Sequence, residues 1–328
     1  MILFNLNILS KYRAELMGVA TLMIILCHMP ANGVVMFPLA ARIIGSAGYG
    51  CDIFLFLSGM GMWNSMSSVR QNKQNIQSWY AKRYIRIIIP YQLIVIPVCI
   101  LNGNSFVEIL IKATGFDFFV YKLALWFVSC ILVLYILTPL LDKFVCGKHK
   151  WKWVSVLTGL CILFSYVDLG NDYHIGNLQF VVGRFPSYFI GYVLAKDIKD
   201  GKLFSIHWLI TAPLILYIIL YVFNHRYGCN FNLFLLQGIP MMTIAAMILS
   251  KKDLSVLNSI LGFLGVISLE SYATNVLVLP LMKNWSWSMA GIDMNPGNWT
   301  FYIIGTLICL LISTIVHRLS KILTSTVR

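Results

Sequence analysis

Charge is what this sequence has least of. Of its 328 residues, 11% are Asp, Glu, Lys or Arg, against about 25% in soluble domains. A chain that is 59% hydrophobic with a mean hydropathy of +0.79 cannot cover its apolar surface in water, which excludes a soluble globular protein. The eight cysteines (Cys27, Cys51, Cys99, Cys130, Cys146, Cys161, Cys229 and Cys309) form no C-x-x-C pair and lie mostly in or beside apolar runs. They read as small apolar residues and not as a disulfide or zinc framework. There is no Walker sequence, no G-x-G-x-x-G after a strand and no H-E-x-x-H, so ATP-driven transport and zinc proteolysis have no support. No internal repeat or low-complexity linker stands out. No small-residue cleavage site follows the first apolar run, which therefore reads as a retained first span.

What is present is a series of apolar stretches, at about 16–29, 49–66, 87–101, 123–141, 154–167, 178–195, 206–223, 231–249, 257–281 and 299–316. They predict an all-α, polytopic membrane bundle of about ten transmembrane helices, forming one integral-membrane domain over 1–328. Residues 1–10 are expected in the membrane interface. The net charge of +13 would suit nucleic acid, but 19 of the 25 Lys and Arg fall at the N-terminus and in alternate connections. That asymmetry is a topology signal: both termini are expected to be cytoplasmic, with no nucleic-acid partner.

Polar residues within the spans are few. The stretch 11–29, KYRAELMGVATLMIILCHM, places Met17, Thr21, Ile24 and His28 on one helical face. Arg13 falls about 22 Å below His28 at ~1.5 Å per residue. A histidine inside a membrane is costly and asks for a partner or a task; packing against a neighbouring helix is the plain alternative. Asp52 and Ser58 follow in the second span, and Arg184 in the sixth. In the ninth, ISLESYATN sets Ser268, Ser271, Tyr272 and Asn275 on one face, with Glu270 and Thr274 beside it. For Arg184 and Glu270 the alternative to function is a structural ion pair. Arg83 and Arg86 are three apart and share a helix face suited to a phosphate-bearing ligand. Positive-inside anchoring explains them equally well.

Taken in order, these segments resemble the bacterial membrane acyltransferase-3 family over nearly the whole chain. LMGVATLMIILCH looks like its first span, which ends in the key histidine, matched by His28. GCDIFLFLSGMGM resembles its Gly-x-Asp-x-Phe…Ser-Gly segment and places Asp52, Ser58 and Gly59. YAKRYIRIIIPY is similar to the Arg-x-x-Arg…Pro-x-Tyr segment and places Arg83, Arg86 and Pro90. LWFVSCILVLYILTP matches the span holding Trp126, Phe127, Tyr135 and Pro139, and GRFPSYFIGY the Arg-x-Pro-x-Phe-x-x-Gly span. Two departures stand out. Many members carry a basic residue where this chain has Met17, so Arg13 or Lys11 would supply the charge a turn earlier; some carry histidine where it has Asn275.

The resemblance implies O-acylation, most often O-acetylation, of a cell-envelope polysaccharide or lipid-linked glycan at the bacterial plasma membrane. The donor would be cytosolic acetyl-CoA or another acyl-CoA, with no permanently bound cofactor and no metal. His28 would act as base or acyl relay because imidazole titrates near neutrality, with Glu270 or Asp52 orienting it. Arg13, Arg83, Arg86 and Arg184 are the candidate contacts to acyl-CoA. Two alternatives differ in kind: a carrier or flippase with Arg184 and Glu270 lining a path, and a non-catalytic membrane scaffold.

Overall fold

The computed structural model describes residues 2–121, 125–145, 147–167, 169–170, 172–227, 234–282, 288–289, 292–293 and 297–325. Cys146, Cys229 and the expected starts of the fourth and eighth spans lie outside them. The described residues are almost all helical: α1 (Asn7–Lys11), α2 (Arg13–Ala31), α3 (Pro38–Gly45), α4 (Gly50–Arg70), α5 (Ile76–Leu101), α6 (Phe106–Ala113), α7 (Trp126–Val145), α8 (Lys150–Tyr166), α9 (Tyr173–Val182), α10 (Phe185–Lys199), α11 (Ala212–Tyr227), α12 (Phe234–Leu249), α13 (Ser255–Val266), α14 (Ser268–Met282) and α15 (Trp299–Ser325).

Each expected span holds helix among its described residues, but not all are uninterrupted. Among the described residues, six helices are long and apolar enough to cross a membrane, and the pair α13–α14, bent by 67°, is so only when its two helices are taken together. The other three expected spans are shorter or broken. α8 has 17 residues and α12 has 16, and the sixth is split into α9 and α10 at Gly183–Arg184 with Pro186 just beyond. Proline lacks the amide a helix interior needs but suits its first turn, so the chain restarts there.

Connections expected to be irregular are partly helical for local reasons. Pro38 opens α3 in the same way. A capping box starts α6, Ser105 receiving the Glu108 amide and the Glu108 carboxylate the Ser105 amide. Hydrogen bonds from the Asn104 side chain and that amide hold the Glu108 carboxyl below the usual carboxylate range. Within the N-terminal stretch expected at the interface, Leu3–Asn5 forms a strand, β1, antiparallel to β2 (Leu203–Ser205). Pairing satisfies backbone groups that an isolated extended segment would leave to solvent. It also brings the N-terminus to the connection after α10. At this same end of the bundle Arg70 pairs with Asp142, and Asp197 takes both Lys150 and Lys202.

Two close crossings fix the core. A Cβ on Gly59 would lie 2.2 Å from the Tyr188 carbonyl oxygen, and one on Gly191 2.1 Å from that of Phe56, so α4 and α10 touch backbone to backbone. Likewise a Cβ on Gly18 would lie 2.0 Å from the Leu261 oxygen and one on Gly265 1.8 Å from the Ala14 oxygen, which seats α13 across α2. Small residues allow this approach, and dispersion and polar contacts then hold the helices in lipid. Gly265→Val is therefore expected to force α13 off α2. A stability loss of about 1–3 kcal/mol, the usual cost of overpacking, should appear as a lower unfolding midpoint in detergent; an unchanged midpoint would contradict the crossing.

Candidate active site

Two polar centres sit on α2, separated by its length. At the start of the helix the partly buried Arg13 reaches α4, where its Nε donates to the Leu57 carbonyl at 3.3 Å. Gly61 leaves room for it, since a Cβ there would meet Arg13 Nη2 at 2.9 Å. Arg83 and Arg86 come in from α5. All three guanidiniums act on the Tyr135 side chain of α7, with Ser58 of α4 beside its hydroxyl. Arg83 is also within electrostatic reach of Tyr188, whose hydroxyl is hydrogen-bonded to Thr138. Among the described residues no carboxylate lies within ion-pair distance of Arg13, Arg83 or Arg86, and the buried Arg83 Nε has no partner. Three clustered cations without an internal counter-ion favour an anion from outside the fold. Arg13 stands about one turn before Met17 on α2. Lys11, by contrast, lies over the Tyr12 ring at 5.2 Å.

At the other end of α2, His28 Nδ1 meets Asn275 Oδ1 of α14 at 2.9 Å. An amide oxygen only accepts, so Nδ1 carries the proton and Nε2 keeps its lone pair. The Tyr302 hydroxyl of α15 donates to the Ile25 carbonyl, one turn below His28. The face expected on α14 is the one observed: Ser268, Ser271, Tyr272 and Asn275 line a narrow cleft with Thr21, Ile24, Ile25 and Phe54.

The other expected site residues lie elsewhere. Asp52 does not orient His28; it is paired with Arg184 and accepts from Ser187, both at the start of α10. Arg184 is nearly inaccessible, and its guanidinium sits 3.8 Å from the Phe234 ring centre, 5.2 Å from that of Phe180 and 5.4 Å from that of Trp126. It stands apart from the other three arginines because the α4–α10 crossing gives it to Asp52. Nor does Glu270 reach His28 or Arg184. Its Oε1 meets His317 Nδ1 of α15 at 2.8 Å.

His317 was not singled out in the sequence, and neither were Tyr302, Ser187 or Ser313. A signal existed for three of them. Tyr302, Thr306, Cys309, Ser313 and His317 recur at helical spacing along α15. They form a polar seam against α14, where Thr274 bonds both Ser313 and the Cys309 carbonyl. Among the described residues, no group of three or more His, Cys, Asp or Glu could hold a metal ion.

No curated protein and no solved structure matches this chain. A family model does, over residues 16–318, and its description is an acyltransferase domain. The match takes in His28, Arg83, Arg86, the cleft of α14 and the Glu270–His317 pair, and begins three residues after Arg13, so the chain belongs to the acyltransferase-3 family and is a membrane acyltransferase.

Proposed function

We propose that the protein is an O-acyltransferase of the bacterial plasma membrane. It takes an acyl group, acetyl in the simplest case, from cytosolic acyl-CoA and delivers it to a hydroxyl of an envelope polysaccharide or lipid-linked glycan. The observation that carries this reading is the pair of centres on α2. Arg13, Arg83 and Arg86 form a cation cluster with no internal counter-ion, and His28, its Nε2 lone pair free, stands about 22 Å further along the same helix. CoA has the matching shape: phosphates at one end, a thioester at the end of an extended arm.

In this reading the phosphates rest on the arginines at the cytoplasmic end, and the thioester reaches the cleft beside His28. His28 Nε2 removes the proton of the acceptor hydroxyl as its oxygen attacks the thioester carbon. The C–S bond then breaks, and the thiolate takes that proton from the imidazolium.

The arginine assignment has a separate kinetic test. A hydrogen bond to a charged group is worth about 1.5–3 kcal/mol. Arg83→Ala or Arg86→Ala should therefore raise KM for acetyl-CoA about 10- to 100-fold while kcat changes little, the pattern of lost uniform binding. An unchanged KM in both variants would remove the arginines from the donor site.

A further inference from the structure

We infer that Ser271 and Asn275 form the oxyanion-binding site of the transfer, which rests on the acyl-CoA reading above. Both side chains are 1% exposed, and both line the narrow cleft of α14. Ser271 Oγ is buried without a hydrogen-bond partner, and Asn275 Nδ2 has none but a long contact to the Tyr302 hydroxyl. Buried polar groups in native proteins are normally satisfied, and exceptions call for a reason. Here the two atoms fall four residues apart on one helix face, in one cleft, and the second belongs to the residue that holds His28.

The chemistry needs such a pair. When the acceptor oxygen bonds to the thioester carbon, the C=O π electrons move onto the carbonyl oxygen, which becomes an anion. That oxygen accepts hydrogen bonds from the Ser271 hydroxyl and the Asn275 amide NH. As the anion collapses, C=O re-forms, the C–S bond breaks, and the sulfur takes the proton that His28 removed from the hydroxyl. Donors fixed before the reaction stabilise this charge without reorganising. Asn275 thus serves twice: Oδ1 sets the His28 tautomer, and Nδ2 is aimed at the carbonyl oxygen.

Ser271→Ala separates this assignment from a packing role. The hydroxyl makes no hydrogen bond in the resting protein, so its removal should leave the thermal unfolding midpoint unchanged or higher. It should also lower kcat for acetyl-CoA-dependent thiol release about 10²- to 10³-fold, as loss of one oxyanion donor does, with KM for acetyl-CoA unchanged. Ser271→Thr, which restores a hydroxyl, should recover part of the rate. A Ser271→Ala rate within threefold of an active wild type, or a loss matched by a fall in the midpoint, overturns the oxyanion assignment alone. A wild type that releases no thiol defeats the acyl-CoA reading and this assignment with it.

Discussion

His28→Ala is expected to reduce thiol release from acetyl-CoA about 10²- to 10⁴-fold, the range that a positioned general base contributes. The argument rests on one hydrogen bond. Because Nδ1–H is committed to Asn275, the free nitrogen of the ring is the basic one. Asn275 is neutral, so unlike a carboxylate it fixes the tautomer without locking the ring in its charged form. His28→Gln sharpens the test: its amide can still bond Asn275, but it has no basic nitrogen, so it should be as inactive as alanine. Folding should survive both changes, since one net hydrogen bond is worth about 1 kcal/mol. Equal melting midpoints with lost activity would place the effect in chemistry. Wild-type rates in His28→Gln would remove the histidine from the mechanism.

The second large effect is on stability. Arg184→Met should destabilise the fold by about 3–5 kcal/mol, because Asp52 would remain buried without its counter-ion. Ser187 alone cannot replace a guanidinium that also lies between Phe180 and Phe234. Combining it with Asp52→Asn should restore much of the loss, since the uncompensated charge is then gone. A double-mutant cycle on unfolding midpoints measures this. Strictly additive losses would mean that the two side chains do not act as a pair.

Where the pattern of residues alone decides the outcome, the sequence was a good guide. Ser268, Ser271, Tyr272 and Asn275 share the face their spacing implies, because nothing but helical periodicity is involved. The apolar runs became helices for the same reason. Partner choice was not legible. Asp52 meets Arg184 only because Gly59 and Gly191 let α4 and α10 touch, a distance no local pattern carries. Glu270 was expected to orient His28 as one of the two carboxylates within the spans. In fact the seam of α15 holds Glu270 at His317, and that helix looked like an ordinary apolar final span. The break at Arg184 and the bend at Ile267 were equally hidden, since averaged hydropathy does not register the interruption of backbone hydrogen bonds. The strand β1, three residues long, is too short to leave a periodic signal.

The central claim is acyl transfer, and the most direct measurement is to watch it. Protein in lipid nanodiscs, supplied with acetyl-CoA labelled in the acetyl group and with envelope glycans, should release CoA thiol and place label on glycan hydroxyls in equal amounts. Both signals should disappear in His28→Ala. Movement of a glycan lipid across vesicles, with no thiol released and no labelled ester from any glycan offered, would contradict the account and favour a carrier.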